Sequence, residues 1–190
     1  MTESNKLQGT DAPIYSRKKN IDIYLLPSGT QFRVVAEVQD HVHHMHLTML
    51  VDHPSLKIRD IQCEMPGVPD ELCREASISL QSMVGKRAIP GLLQELDGDW
   101  VRTGCSHLKN LFYEACYNVA QAQRVQGGNE LARLFPGIRE EQMYKIFFWF
   151  RPEIANSCIR YADNAPFMQK IKTTELPEGA EKLKAAVVKQ

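Results

Sequence analysis

Two cysteines stand where helices are predicted to begin, and their thiols are the first candidates for chemistry in this sequence. Cys73 opens the run C-R-E-A-S-I-S-L, and Cys105 lies in G-C-S-H-L, two residues before His107. The free N–H groups and the positive end of the dipole at a helix N-terminus favour a thiolate over a thiol. We therefore expect these two side chains to be able to bind a metal or to act as nucleophiles.

A histidine-rich segment precedes the cysteines in the chain and is typical of a strand start. It reads V-H-H-M-H-L-T-M-L-V over residues 42–51. Because side chains alternate along a strand, His43 shares the apolar face of Met45. His44 and His46 fall on the opposite face, where we expect them to be solvated.

Together these residues predict a mixed thiol and imidazole site. Zn²⁺ accepts such a set in tetrahedral geometry, and Fe–S clusters use thiolates with occasional histidine. The spacing is not that of a zinc finger, and free cysteines are also common as small buried residues, so burial without a metal remains the alternative. The predicted ligands are His43, Cys73 and Cys105, with His41 or His107 as a fourth.

The composition excludes several classes of partner. The 23 basic and 23 acidic residues balance, so we expect no nucleic-acid partner. The N-terminus has no hydrophobic signal core, and no apolar run approaches the roughly 20 residues that a membrane helix needs, so we expect no membrane interaction. The five cysteines are odd in number and show no paired spacing, which argues against disulfides. A cytoplasmic protein with reduced thiols is expected.

The elements that must position the site begin with four strands. Apolar and polar residues alternate over residues 21–25 and 32–38, and P-S-G-T at 27–30 is typical of a hairpin turn. The histidine-rich strand follows, and residues 57–63 form a fourth. This order predicts a meander of four antiparallel strands.

The hydrophobic period changes to 3.6 after M-P-G-V-P. Pro69 suits the first helical position, and a stripe at Leu72, Ala76, Leu80 and Met83 predicts a helix. We also predict a short helix from Ile89 to Leu96 and a long helix that starts near Cys105 and ends at Gly127-Gly128. Two further helices, Ile138–Phe150 and Glu153–Tyr161, precede a weakly amphipathic tail helix.

The sequence thus predicts an α+β fold, an antiparallel β-meander packed on helices with a C-terminal helical extension. We divide it into a flexible arm (1–15), an α+β domain (16–128) and the extension (129–190). The aromatic run 147–150 is apolar all round, so we expect it to be buried or to contact another chain. A protein partner or a homo-oligomer formed through the helices of residues 138–161 is the corresponding prediction.

Two motifs resemble a bacterial family of unknown function. R-T-G-C-S-H-L at residues 102–108 follows D-x-x-x-x-M-P-x-x-P-x-x-x-C at residues 60–73, and a histidine precedes Met45 at the start of a strand. The combination resembles a bacterial domain-of-unknown-function family marked by a G-C-[ST]-H-L motif. This resemblance covers about residues 14–123 and implies no particular activity.

The order of motifs is also similar, more distantly, to the IscU/NifU-like iron–sulfur cluster scaffold family, whose fold SufE shares. The matching pieces are L-T-M-L-V-D (47–52), I-R-D-I (58–61), C-R-E-A-S-I-S-L-Q-S-M-V-G-K (73–86) and C-S-H-L (105–108). The resemblance implies a SufE/NifU-like fold and maps two of the family's three cluster ligands onto Cys73 and Cys105. The family's first cysteine falls near His41, and its neighbouring aspartate falls near His43.

The resulting hypothesis is a metal- or iron–sulfur-binding accessory protein, with Zn or an Fe–S cluster as its cofactor, rather than an enzyme. Two alternatives remain open. One is a cysteine-dependent enzyme or sulfur acceptor, which the SufE likeness implies. The other is a non-catalytic interaction module in which the ligands form no site.

Overall fold

A four-stranded antiparallel meander forms the first part of the chain, as the sequence predicts. We describe it from a computed structural model, which describes residues 12–89, 92 and 104–187. The strands lie in the order β1-β2-β3-β4, so each pairs with its neighbour in the chain. Their bounds are β1 Lys18–Leu25, β2 Gln31–Gln39, β3 His44–Asp52 and β4 Ile58–Gly67. The fourth strand is longer than the residues 57–63 expected for it.

One face of this sheet is buried because the strands alternate strictly. Every second residue of β2 and β3 is at most 2% exposed, and the same cluster includes apolar residues of the helix that follows. That helix, α1, spans Ser106–Leu134. We call this side the inner face; the opposite side is the outer face. The inner-face residues of β2 and β3 are Phe32, Val34, Ala36, Val38, Met45, Leu47, Met49 and Val51.

The segment after β4 is a 3-10 helix, Glu71–Met83, rather than the α-helix that the period of 3.6 predicts. Asp70 caps its N-terminus by accepting a hydrogen bond from the Leu72 N–H. Three serine hydroxyls donate to the carbonyl three residues earlier, at 2.6–2.8 Å, which offers the backbone an alternative to α-helical bonding. Ala76, Leu80 and Met83 of the predicted stripe are buried, but Leu72 is 68% exposed. The serines are Ser77, Ser79 and Ser82.

Helix α1 does not end at Gly127-Gly128 as predicted, but continues to Leu134. The two glycines serve close packing instead. A Cβ at Gly127 would lie 3.3 Å from the Phe147 ring, and one at Gly128 would lie 3.2 Å from the Met143 sulfur. Two compact units divide the chain between residues 123 and 124. The predicted helix Ile89–Leu96 falls largely outside the described residues.

The second unit contains the remaining helices: α2 Glu140–Phe150, α3 Pro166–Thr173 and α4 Glu181–Val187. The predicted helix Glu153–Tyr161 is wrong, because two separate 3-10 turns, Pro152–Ile154 and Ile159–Tyr161, replace it. Asn156 lies between them with a φ of 61°, which no α-helix accommodates. None of the described helices is long and apolar enough to cross a membrane.

The aromatic run of α2 is mostly packed within this unit. Phe147, Phe148 and Trp149 are partly buried against its two apolar clusters, whereas Phe150 is 47% exposed. Tyr144 and Phe148 surround Tyr161, with ring centroids 5.5 and 6.0 Å away from it. A partner at this surface therefore stays a prediction.

Candidate functional site

The two imidazoles of His43 and His107 lie against each other at the edge of the inner face. His43 directly precedes β3, and His107 lies in the first turn of α1. Their ring centroids are 3.9 Å apart with an interplanar angle of 35°. The His43 side chain is only 13% exposed. The fold thus brings together two of the predicted ligands from positions 64 residues apart in sequence.

Asp40 positions His43 from the turn between β2 and β3. Its Oδ1 accepts hydrogen bonds from the Val42 and His43 N–H groups, at 2.9 and 2.8 Å, and lies 3.2 Å from His43 Nδ1. Its Oδ2 accepts from the Arg17 guanidinium at 2.6 and 2.8 Å and from the Tyr15 hydroxyl at 3.0 Å. These backbone N–H groups, followed by Arg17 and Tyr15, hold the pKa of the Asp40 carboxyl well below its usual range. Asp40 is therefore an ionised carboxylate directed at one nitrogen of His43.

Cys105 joins this pair at the start of α1. Its carbonyl accepts the Lys109 N–H at 2.9 Å, so Cys105 lies at the start of the helix, as the sequence predicts. Its Sγ lies 4.0 Å from His107 Nδ1, and the side chain packs partly buried against the main core. A thiol and two imidazoles thus follow one another across this edge of the core.

Cys63 is a second thiol that packs against the same core as Cys105. It lies on β4 opposite Leu47, whose side chain faces the core. Burial raises the pKa of the Cys63 thiol to about 12. The alternation of Ile61, Cys63 and Met65 along β4 is the signal that could have placed Cys63 on the inner face.

His107 is biased towards its neutral form. Burial, and then the neighbouring charges of His43 and Arg17, lower the pKa of His107. A neutral imidazole has a lone pair that can bind a metal or accept a proton. Metal binding through His107, as predicted from the sequence, requires that state.

The other two predicted ligands lie apart from these contacts. Cys73 is half-buried in the 3-10 helix, and its N–H donates to the Asp70 carbonyl at 3.0 Å. His41 is exposed, and its ring stacks on that of Tyr15 at 6.1 Å. In the described part of the chain, no three of the five predicted ligands offer atoms all within 4.8 Å of one another. The complete five-residue set therefore stays a prediction.

Comparison with known proteins identifies the chain only at the level of a family. Searches of the curated proteins and of the solved structures gave no match. The family model DUF2889, described as a protein of unknown function, matches residues 11–122. This range contains the whole sheet, the 3-10 helix and every residue of the thiol and imidazole site. The chain therefore belongs to the DUF2889 family of proteins of unknown function.

Proposed function

We propose that this protein is a metal- or iron–sulfur-binding accessory protein whose ligands are the thiol and imidazoles at the inner edge of the sheet. The observation that carries the proposal is the contact sequence His43–His107–Cys105, with 3.9 Å between the rings and 4.0 Å between Cys105 Sγ and His107 Nδ1. Zn²⁺ sites and Fe–S clusters both use thiolate and imidazole ligands.

The buried carboxylate beside His43 supports this reading. Histidines that bind metals usually donate their second ring N–H to a carboxylate or carbonyl, which fixes the ring and raises its basicity. Asp40 is 3.2 Å from His43 Nδ1 and has a side chain only 1% exposed. Nε2 is then the nitrogen through which His43 would bind a ligand.

The distances also suit a transition metal. Zn–S and Zn–N bonds of about 2.3 and 2.0–2.1 Å place neighbouring donor atoms less than about 4 Å apart. Cys105 Sγ and His107 Nδ1 are already close to that separation. Cys63 supplies a further thiol on β4, partly buried against the same core as Cys105. Cys73 and His41 remain the other candidates for the fourth position.

Metal analysis tests this proposal. Protein purified without oxygen should contain close to one equivalent of Zn, or Fe with inorganic sulfide, and its visible absorption distinguishes the two. Cys105→Ser and His107→Gln should weaken the bound metal at least about tenfold in competition with a chelating dye, because even residues outside the ligand set cost that much. Cys158→Ser is the matched control, since Cys158 is an exposed thiol of the second unit.

The outcome is decisive in both directions. Metal retained by Cys158→Ser but lost from Cys105→Ser supports the site. Wild-type protein without Zn or Fe, or equal metal content in all variants, would show that the proposal is wrong. Far-ultraviolet circular dichroism identifies any variant that has lost its fold. If Cys105→Ser is one of them, Cys105→Ala takes its place in the comparison.

A second candidate function is favoured by the same thiol contact. In this reading the His107 imidazole, whose Nδ1 lies 4.0 Å from Cys105 Sγ, accepts the proton of the thiol, as the base of a cysteine nucleophile does. Under this reading, iodoacetamide should alkylate Cys105 several-fold faster in the metal-free wild type than in His107→Gln. Equal alkylation rates would contradict a nucleophilic role and leave the metal site unaffected.

A further inference from the structure

Three polar side chains converge on the outer face of the sheet, on the side opposite the thiol and imidazole site. His44 and His46 alternate with the buried Met45, so both point to this face. Glu37 of β2 lies directly opposite His46 in the register, next to the pair formed by Gln39 and His44. The carboxylate therefore lies beside both imidazoles.

The donor atoms of this group are already close together. His44 Nε2 lies 2.9 Å from Glu37 Oε1, and the rings of His44 and His46 are 4.5 Å apart. One ligand atom from each of the three residues lies within 4.8 Å of the other two. In the described part of the chain, this is the one group of three or more such donors that meets that distance.

The backbone holds these residues firmly in place. β2 and β3 are the two inner strands of the sheet, and β2 pairs with both neighbours along its length. The register of β3 with β4 shifts between His44 and His46, an irregularity of the kind that redirects side chains. Gly67 of β4 approaches the His44 backbone so closely that a Cβ would lie 2.9 Å from its nitrogen. The site is thus built on strands rather than on a mobile loop.

A solvated ion pair does not explain the whole arrangement. Glu37 needs only one histidine for such a pair, and it already has His44 at 2.9 Å. A second imidazole at 4.5 Å adds repulsion if both are protonated, but adds a ligand if a metal replaces the protons. Two imidazoles and one carboxylate form a donor set typical of divalent zinc and iron sites with open positions.

We propose that Glu37, His44 and His46 bind a divalent first-row transition ion, such as Zn²⁺ or Co²⁺, with water in the remaining positions. The side chains of His44 and Glu37 are 33% and 39% exposed, so water has access to the ion. This site is independent of the Cys105 site, because it contains no thiol and lies on the other face of the sheet. The two sites stand or fall separately.

Cobalt titration of the full chain tests the proposal. Cys105→Ser protein, stripped of metal by a chelator, should bind one Co²⁺ with weak visible bands and no thiolate charge-transfer band. A second substitution, Glu37→Gln or His46→Gln, should weaken Co²⁺ binding at least about tenfold. Substituting even the groups that only hydrogen-bond to metal ligands lowers the metal affinity by that much. Glu64→Gln is the matched control: Glu64 also pairs across the strands with His46, on the β4 side, but is not one of the three donors.

Each outcome decides the question. Weaker binding in Glu37→Gln and His46→Gln, together with unchanged binding in Glu64→Gln, supports the outer site. Equal weakening by Glu64→Gln would show a general charge effect and overturn the proposal, as would no Co²⁺ binding in Cys105→Ser. The same substitutions in chains that retain Cys105 should leave any thiolate band unchanged. Loss of that band in Cys105→Ser bears only on the Cys105 site.

Discussion

Gly67→Ala should destabilise the sheet and disturb the outer face at the same time. Gly67 ends β4 and pairs with His44, the first residue of β3. A Cβ at this position would lie 2.9 Å from the His44 nitrogen and 3.0 Å from the His44 Cβ. Carbon atoms in good contact are about 3.5–4.0 Å apart, so the new methyl group overlaps with the neighbouring strand.

The size of the effect follows from what must move. The nearest atoms belong to the backbone and Cβ of His44, not to the end of a flexible side chain that could rotate away. Inserting a group into a well-packed position costs about 1–3 kcal/mol of unfolding free energy. At roughly 4 °C per kcal/mol for a domain of this size, the melting temperature should fall by about 4–12 °C.

Thermal unfolding followed by circular dichroism measures this change, and Gln62→Ala is the control. Gln62 is an exposed residue of the same strand, so its substitution should change the unfolding free energy by less than about 0.5 kcal/mol. Because Gly67→Ala displaces His44, Co²⁺ binding to the outer face should weaken as well. Melting temperatures that agree for wild type and Gly67→Ala would refute the close approach of the two strands.

Three further predictions concern the core, the thiols and the second unit. Phe112→Ala should cost about 3–5 kcal/mol of unfolding free energy because Phe112 is fully buried, whereas Tyr113→Ala should cost much less because Tyr113 is 37% exposed. Chemical denaturation measures both variants, and equal losses would contradict the orientation of α1 on the core. Burial raises the pKa of the Cys116 thiol to about 12, so brief alkylation of the folded protein at pH 8 should modify the exposed Cys158 and leave Cys116 unmodified. Peptide mass spectrometry identifies the labelled cysteines, and equal labelling of the two would argue against the burial of Cys116. Burial, more than the hydroxyl of the neighbouring Tyr144, raises the pKa of Tyr161 to about 12, so the contribution of Tyr161 to stability is complete below the unfolded value near 10 and is lost as the pH rises from 10 towards 12. The unfolding free energy of the wild type should therefore fall more than that of Tyr161→Phe between pH 8 and pH 11. Equal losses in the two proteins would exclude this linkage.

The sheet could be predicted from the sequence because one physical rule determines it. Alternation of apolar and polar residues identifies each strand and its buried face, and short turns leave antiparallel neighbours as the simple solution. Extending the alternation of Met45 backwards predicts His43 at the edge of the inner face, and its side chain is only 13% exposed and lies against His107 of α1. The spacing of the buried residues Ala76, Leu80 and Met83 fits the period of 3.6 of an α-helix. This spacing alone therefore does not indicate that the segment is a 3-10 helix.

Glycine and proline signals were less reliable than alternation. Gly127-Gly128 is a typical helix end, but both glycines lie inside α1, where Phe147 and Met143 pack against them. Tertiary packing thus overrides the local preference of glycine for a helix terminus. The identity of the close neighbour cannot be read from the sequence around a glycine, so this extension of α1 was not predictable.

The short turn between β2 and β3 decides which face of the sheet each histidine occupies. The sequence predicts these faces, but it does not predict which residues the histidines contact. The residues from His41 to His46 carry four of the six histidines of the chain, and alternation distributes them between two faces. Asp40 accepts both the Val42 and the His43 N–H groups and so fixes the length and register of this turn. A slip of one residue would exchange the faces of His43 and His44. The pairing of Glu37 with His46 follows from the same register, which alternation alone does not reveal. Asp40 therefore fixes the turn that precedes the candidate histidines on both faces, although it belongs to neither donor set.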